Sequence, residues 1–160
     1  MKRTQKKKHP KICFAASSGG HYEELMTLKP LMEKYPCFIL TEKTSYIDKA
    51  SGRNTFFVLQ INRREVLFPV KFTGVALKSL YLFIKERPDV VISTGVLATI
   101  PICLIAKLFR KKLIYIESIA KVTDATLSGK LLYRYADQFY VQWESMISIF
   151  PKAIFMGGVF

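Results

Sequence analysis

The sequence predicts an α/β fold, a Rossmann-like doubly wound parallel sheet of six or seven strands. Short apolar runs alternate with helix-like segments along the chain, which is the pattern of a sheet with helical crossovers. The apolar runs are nearly uninterrupted, as in strands that are covered on both faces. The first run ends in the turn SSGGH, and a helical pattern starts at once. These three observations favour a doubly wound sheet.

The first half of the chain holds three predicted strands and two helices. The strands are the apolar runs ICFAA at 12–16, CFIL at 37–40 and TFFVLQI at 55–61, the last rich in β-forming residues. Apolar side chains at helical spacing predict one helix over 20–34. A polar stretch, 41–54, has room for a short helix or a mobile loop. A long helix is predicted over 65–86, closed by Pro88.

The second half continues the alternation. Strands are predicted at DVVIS (89–93), KLIYIE (112–117), 137–141 and AIFMG (153–157), and helices over 97–109, 126–135 and 142–150. No internal repeat or linker interrupts this pattern. We therefore expect one domain over 11–160, preceded by a basic flexible tail over 1–10.

Charge is the most unusual feature of the composition. The formal net charge is +13, and six of the 25 basic residues lie within the first 11 positions. A basic excess fits nucleic acid, anionic lipid or a phosphorylated substrate, and the tail alone also fits a solvated, flexible segment. The three cysteines lack metal-binding spacing and predict free thiols in a reducing compartment.

The hydrophobic runs predict peripheral contact with a membrane at most. The run at 12–16 is too short for a signal peptide, and no run reaches the ~18 residues of a membrane span. We expect a cytoplasmic protein that binds the inner face of the plasma membrane peripherally.

Three turns that follow strand ends carry small or polar residues. They contain Ser17–Ser18–Gly19–Gly20–His21, Ser93–Thr94–Gly95, and Glu117–Ser118. In the usual strand order these strands are neighbours, so the turns are expected to line one crevice. The first turn suits a phosphate, but it is neither GxGxxG nor a P-loop.

His21 is the only histidine outside the tail. One interpretation is a residue that caps or packs the helix. The other is a general base, because a neutral imidazole accepts a proton near pH 7 and a helix N-terminus lowers its pKa. A lone histidine without a cysteine or aspartate partner indicates neither a triad nor a metal site.

Each of the other two turns also has a structural and a functional interpretation. Ser93–Thr94–Gly95 fits ordinary strand-to-helix geometry as well as a ligand-lining turn. Glu117 ends an apolar strand, where a buried carboxylate needs a partner. That partner is either Lys121, one helical turn on, or a substrate hydroxyl, and the carboxylate is also a candidate acid or base.

The predicted helix over 65–86 is apolar nearly all round, with one cationic line. Lys71, Lys78 and Lys85 recur every seven residues and share a stripe that drifts by about 20° per repeat. This pattern fits a helix packed on the sheet and dipping into a lipid interface, or a helix buried under loops or a partner. The predicted membrane-contact residues are Arg63, Arg64, Leu67, Phe68, Lys71, Phe72 and Lys78.

Four strings in this order carry a family resemblance: ASSGGHYEEL, VISTGVLATIPICLIAKLF, KLIYIESIAKVTDATLSGKLLYRYADQFYVQW and FPKAIFMGGVF. They resemble the PssD/CpsF group of bacterial polysaccharide-biosynthesis proteins. That group is related to the membrane-anchoring subunit of the two-part UDP-GlcNAc transferase that extends lipid-linked oligosaccharide. MurG-type enzymes are more distantly similar, and their first glycine turn also ends in GGH.

The resemblance implies the N-terminal, acceptor-side half of a GT-B glycosyltransferase. A second subunit would supply the nucleotide-sugar-binding half, and a polyprenyl-linked acceptor would bind between them at the membrane. Ser18, Gly19, Gly20 and His21 match the GGH turn, which makes His21 the favoured base. Thr94 with Gly95, and Glu117 with Ser118, match the other two crevice turns. The eukaryotic relative carries an N-terminal membrane-spanning segment where this sequence has MKRTQKKKHPK, which favours peripheral attachment.

The sequence thus predicts a subunit of a split, inverting glycosyltransferase in capsular or exopolysaccharide synthesis. His21 and Glu117 are its candidate catalytic residues, and Ser17, Ser18, Gly19, Gly20, Thr94, Gly95 and Ser118 its candidate substrate-binding residues. No metal or cofactor is expected besides the nucleotide-sugar substrate. The alternative is a non-catalytic scaffold that activates its partner. Nucleic-acid binding is disfavoured, because no exposed aromatics interleave with the basic residues.

Overall fold

The computed structural model describes residues 9–44 and 54–158. Its centre is a seven-stranded sheet in the order β3-β2-β1-β4-β5-β6-β7, and all six strand pairs are parallel. The strand order reverses between β1 and β4, which is where doubly wound sheets bind ligands.

The bounds of the elements follow the predicted alternation. The strands are β1 Ile12–Ala16, β2 Cys37–Glu42, β3 Thr55–Val58, β4 Val90–Gly95, β5 Lys112–Ile116, β6 Gln138–Val141 and β7 Ile154–Phe155. The helices are α1 Gly20–Met26, α2 Lys29–Lys34, α3 Phe68–Glu86, α4 Ile100–Leu108 and α5 Leu127–Leu132. Two 3-10 turns, Leu97–Thr99 and Glu144–Ser148, precede α4 and β7 respectively.

Apolar side chains form a core on each face of the sheet. Helices α3, α4 and α5 cover one face with residues such as Val75, Ile102 and Leu132. Helices α1 and α2 cover the other face through Leu25 and Met32. Because both faces of the central strands are buried, the strands need apolar residues at every position. That requirement explains the uninterrupted runs in the sequence.

The predicted helix over 20–34 is wrong in one respect, because the structure divides it into α1 and α2. Pro30 has no amide hydrogen, and its ring would meet the carbonyl of Met26 in a continuous helix. The chain therefore leaves the helix at Thr27, whose hydroxyl donates to the Glu24 carbonyl at 2.7 Å. It restarts at Lys29 with the proline in the first turn, where no amide hydrogen is required.

Several other boundaries differ from the sequence predictions. β3 ends at Val58, α3 begins at Phe68 with Pro69 in its first turn, and α5 covers only six residues. The segment predicted as a helix over 142–150 contains a 3-10 turn. Most of the basic tail (1–8) and most of the polar stretch (45–53) lie outside the described residues. Within the described ranges, no helix is long and apolar enough to cross a bilayer.

Candidate active-site crevice

The turns after β1 and β4 are joined at the carboxyl edge of the sheet. Gly19 takes a φ of 78° and lets the chain turn into α1, a conformation that costs glycine little. The Ser17 amide donates to the Gly95 carbonyl at 2.8 Å. The Thr94 hydroxyl donates to the His21 carbonyl at 2.7 Å. The backbone that carries His21 is therefore held by the neighbouring strand as well as by its own helix.

Gly95 separates His21 from a buried tyrosine. Its φ is 98°, and a Cβ placed there would lie 3.0 Å from the Tyr115 hydroxyl and 3.9 Å from His21 Nδ1. A larger residue would be strained by the backbone and would crowd the hydroxyl. Thr94 is buried together with Gly95, so the turn after β4 lies beneath the crevice and supports it.

Glu117 lies in the protein interior, with 1% of its surface exposed. Its carboxylate accepts hydrogen bonds from the Thr126 hydroxyl at 2.9 and 3.1 Å and from the Ser118 amide at 3.1 Å. A Cβ on Gly129 would overlap its Oε2 atom. Burial raises the pKa of this carboxyl, although the Thr126 hydrogen bond opposes the rise.

The interpretation of Glu117 as an ion-pair partner of Lys121 is wrong. Lys121 instead pairs with Asp124 at 2.6 Å, because the segment after β5 is a turn and does not continue as a helix. Glu117 joins the end of β5 to the start of α5, which begins with Thr126 as its N-cap. The structure places its carboxylate behind the crevice wall that Thr126 forms.

Glu24 is the main residue of this region that sequence reasoning missed. Only 3% of its surface is exposed. Its Oε1 atom accepts from the Ser118 hydroxyl and from the Ile119 amide, both at 2.9 Å. Its Oε2 atom lies 3.8 Å from His21 Nδ1. Glu24 therefore connects the turn after β5 to the histidine of the first turn.

The pKa of His21 is raised, and the expectation that a helix N-terminus would lower it is wrong. The largest cause is the neighbouring Glu24 carboxylate, which favours the charged imidazole, while burial acts in the opposite direction. At 3.8 Å the two groups form an ion pair when the imidazole is protonated, rather than a full hydrogen bond.

A crevice of about 1000 Å³ opens above these turns. Of the predicted residues, Ser17, Ser18 and His21 line it, and Gly19 and Gly20 are exposed at the start of α1. Thr94, Gly95, Glu117 and Ser118 lie beneath its surface. The three turns are therefore adjacent, as predicted, but only the first contributes side chains to the crevice.

The opposite wall comes from the segment between β3 and α3 and from the start of α5. Arg63, predicted as a membrane contact, lines the crevice together with Gln60 and Asn62. Lys121 and Thr126 line it from the other side. The part of the lining that the structure describes thus includes two cationic side chains, and phosphate oxygens are attracted by such groups.

Glu42 at the end of β2 also borders the crevice, and its carboxylate accepts hydrogen bonds from the first turn. Its Oε2 atom accepts from the Ser18 amide and hydroxyl, both at 3.2 Å. Its Oε1 atom is 3.5 Å from the Ile61 amide. The Ser18 groups expected to meet a phosphate are therefore engaged by a carboxylate in this structure. Among the described residues, no cluster of histidine, cysteine and carboxylate side chains could hold a metal ion.

Helix α3 presents an apolar surface different from the predicted one. Phe68 and Phe72 are half-buried against the core, with ring centroids 5.5 Å apart. Lys71 pairs with Glu65, while Leu67 and Lys78 are exposed, as is Arg64 before the helix. The exposed side chains that we name the α3 apolar face are Val66, Val70, Leu77, Tyr81 and Ile84.

Comparison with known proteins gives both a family and a fold. The model of the family "Oligosaccharide biosynthesis protein Alg14 like" matches residues 12–159. UDP-N-acetylglucosamine transferase subunit ALG14 of Homo sapiens is 36% identical over 87 residues, or 51% of this chain and 40% of the human protein. The same subunit of Yarrowia lipolytica is 28% identical over 147 residues, or 88% of this chain and 64% of that protein. This chain spans less than two thirds of the length of either relative.

Solved structures show the same sheet. MurG of Acinetobacter baumannii superposes with a TM-score of 0.68 at 17% identity, over 85% of this chain and 43% of that one. UDP-N-acetylglucosamine 2-epimerase from Rickettsia bellii gives 0.71 at 13% identity, over 94% and 45%. The predicted Rossmann-like sheet of the GT-B N-terminal type is confirmed. The match along nearly the whole described sequence shows that the chain belongs to the Alg14-like family of oligosaccharide biosynthesis proteins.

Proposed function

We propose that this chain is the acceptor-side subunit of a split, inverting glycosyltransferase. Such an enzyme moves a sugar from a nucleotide-sugar to a polyprenyl-diphosphate-linked oligosaccharide. Its relatives are named as transferase subunits, which supports a role within a larger assembly. The resemblance of its sequence to the PssD/CpsF group extends the proposal to capsular or exopolysaccharide synthesis.

The observation that carries the proposal is a crevice with cationic side chains on its walls that is open to solvent. His21 and two cationic side chains, Arg63 and Lys121, border about 1000 Å³ of open space at the carboxyl edge of the sheet. A partner that carries the nucleotide-sugar-binding half would cover this edge and complete the site.

His21 is the base of the proposed reaction. An acceptor hydroxyl attacks the anomeric carbon of the donor sugar from the face opposite the diphosphate. The bond from that carbon to the diphosphate oxygen breaks, and the nucleoside diphosphate leaves with the bonding electrons. The hydroxyl proton passes to the His21 imidazole. The Glu24 carboxylate raises the pKa of His21, which makes the imidazole a stronger proton acceptor.

The remaining crevice residues are proposed to bind and orient the substrates. Arg63 and Lys121 are proposed to meet diphosphate oxygens together with the partner, and the first turn is proposed to border both substrates. Glu117 is proposed as a positioning residue that holds Thr126 and the start of α5. The reaction is proposed to need no divalent metal, so a chelator should leave turnover unchanged.

A scaffold function remains the second candidate. The burial of Thr94, Gly95, Glu117 and Ser118 favours it, because these predicted site residues serve internal contacts. In that case the partner would hold the whole active site, and this chain would only recruit and activate it.

We further propose that α3 attaches the subunit to the membrane surface. The α3 apolar face lies on the helix that begins beside the crevice, where Glu65 lines the opening. Lys78 and Lys85 on the same helix can contact anionic headgroups. Peripheral binding at the inner face of the plasma membrane would bring the crevice close to a lipid-linked acceptor.

The test is reconstitution of the complex from separately purified subunits. The full chain is combined with its nucleotide-sugar-binding partner, with UDP-N-acetylglucosamine as the first donor and a polyprenyl-diphosphate oligosaccharide as acceptor. The proposal expects transfer by the complex and none by either subunit alone. A partner that transfers sugar by itself, and is merely stimulated by this chain, would establish the scaffold function instead.

A further inference from the structure

The two oxygens of the Glu24 carboxylate have different surroundings: one accepts two hydrogen bonds, and the other is directed at His21. Oε1 accepts two hydrogen bonds, from the Ser118 hydroxyl and the Ile119 amide. Oε2 is buried, has no hydrogen-bond partner among the described residues, and lies 3.8 Å from His21 Nδ1. A buried carboxylate oxygen without a donor is costly. Among the described residues, His21 is the charged partner within 4 Å of this oxygen.

The His21 ring likewise has two nitrogens in different surroundings. Nδ1 is fully buried without a hydrogen-bond partner among the described residues. The whole side chain is 23% exposed and borders the crevice. Exposure therefore belongs to the other edge of the ring, which carries Nε2. The two ring nitrogens face different surroundings, a buried carboxylate and an open crevice.

A small shift closes the gap between the two groups. A shortening of about 1 Å would bring 3.8 Å within the range of an N–H···O hydrogen bond, and such contacts in unliganded sites often tighten when substrate binds. Both backbones are part of α1. The Glu24 carboxylate is held through Oε1 by the turn after β5, while His21 Nδ1 has no hydrogen-bond partner among the described residues, so the imidazole is the more adjustable side chain.

We propose that Glu24 is a positioning residue that keeps the proton of neutral His21 on Nδ1, so that Nε2 faces the crevice as the acceptor for a hydroxyl proton. This deepens the proposed function and rests on it only for the identity of the proton donor. When Nε2 takes the proton, Glu24 stabilises the resulting imidazolium. The proton later leaves from Nε2 to solvent, and Glu24 stays ionised throughout.

The charges around His21 define what a titration should show. From its own helix Glu24 faces it, and Glu117 and Tyr115 lie behind it on β5 and the following turn. Glu42, Arg63, Glu65 and Lys121 line the same crevice as His21. Glu24 is the closest of these acids, and the pKa of His21 is raised mainly by it. Its neutralisation should therefore lower the titration midpoint of the histidine more than any other single change.

The experiment uses the full chain without a partner, with both histidine rings labelled with ¹⁵N. His21→Ala identifies the resonances, since His9 is the only other histidine. Above the titration midpoint, the proposal expects His21 to be the Nδ1–H tautomer. Glu24→Gln keeps an oxygen for Ser118 and Ile119 but presents an amide donor to Nδ1. It should convert His21 to the Nε2–H tautomer and lower its midpoint.

Glu23→Gln, a change at the exposed neighbour on α1, is the matched control and should leave the tautomer and midpoint unchanged. An Nε2–H tautomer in the unmodified chain would overturn the proposal, and this result does not depend on the folding of any variant. A Glu24→Gln chain with unchanged tautomer and midpoint would overturn it too.

Kinetics of the reconstituted complex separate this inference from the proposed function. Glu24→Gln should lower kcat by about a hundredfold, move the rise of the rate to lower pH, and leave KM for the donor nearly constant. If the tautomer behaves as expected but His21→Ala leaves turnover intact, the proposed base is wrong and the positioning by Glu24 stands. If the tautomer is the opposite one, the positioning is wrong whatever the turnover.

Discussion

The Thr94 hydroxyl donates a 2.7 Å hydrogen bond to the backbone carbonyl of His21. The two residues are 73 positions apart. Thr94 lies near the end of β4, and His21 lies in α1, which follows the adjacent parallel strand β1. This bond fixes the first turn of α1 against β4. The position of the histidine therefore depends on a residue that does not itself reach the crevice.

Thr94→Val should lower both stability and turnover. Valine keeps the shape of threonine but removes the donor, so the His21 carbonyl loses a buried partner. We expect the free energy of unfolding in urea to fall by about 1–3 kcal/mol. Thr94→Ser retains the hydroxyl and should lose less. A larger loss for serine than for valine would show that the methyl group, and not the hydrogen bond, matters here.

Gly129→Ala should destabilise the protein because it displaces the Glu117 carboxylate. The added Cβ would overlap Glu117 Oε2, and crowding of this kind costs about 1–3 kcal/mol in the free energy of unfolding. Gly74→Ala is the matched control on α3, where a Cβ meets nothing within 4 Å. It should instead stabilise the helix by about 0.5–1 kcal/mol. A stable Gly129→Ala protein would contradict the close packing of α5 on Glu117.

The stability contribution of Glu117 should depend on pH. Its pKa is raised in the folded protein by burial, so the folded state binds a proton more tightly than the unfolded state. The favourable contribution is complete below the ordinary value of 4.5 and is lost as pH rises through the higher folded value.

Urea unfolding at a series of pH values measures this dependence. Relative to the unmodified protein, Glu117→Gln should gain stability as pH rises above about 4.5, because it carries no charge to bury. Glu144→Gln, at an exposed position, should show no such trend. A difference between Glu117→Gln and the unmodified protein that stays constant from pH 4 to pH 8 would rule out a raised pKa.

Membrane attachment can be tested on the α3 apolar face without damage to the core. Val70→Ser with Leu77→Ser should reduce co-sedimentation with vesicles of phosphatidylglycerol and phosphatidylethanolamine by at least about tenfold. Thermal stability should change little, because both side chains are more than half exposed. Met156→Ser, at an exposed apolar residue beyond β7 on the far edge of the sheet, should bind as the unmodified chain does. Equal binding by all three proteins would exclude α3 as the contact.

The fold was predictable because the strands are mostly apolar runs that alternate with helix-like segments, and because small residues follow β1 and end β4. The same pattern predicted that the turns SSGGH, STG and ES lie at one edge of the sheet. It did not reveal which residues reach the crevice, because side-chain direction at a turn depends on backbone angles. Thr94 and Glu117 point inward, and only the first turn opens into the space above.

Glu24 could not be recognised from sequence, because it stands beside Glu23 in a helix and both resemble solvated acids. Only the sheet order brings Ser118, 94 positions away, against its carboxylate. The orientation of helix α3 was also difficult to predict from the sequence. It is apolar nearly all round, so periodicity could not tell the core-facing Phe68 and Phe72 from the exposed Val70 and Leu77.

Turnover of the reconstituted complex carrying His21→Gln shows whether His21 is the base. Glutamine is polar and similar in reach, but it cannot act as a base near neutral pH. With partner binding unchanged, and with His9→Gln as control, the account predicts a fall in kcat of about 10²- to 10⁴-fold. A His21→Gln complex that transfers sugar within about threefold of the normal rate would contradict the assignment of His21 as the base.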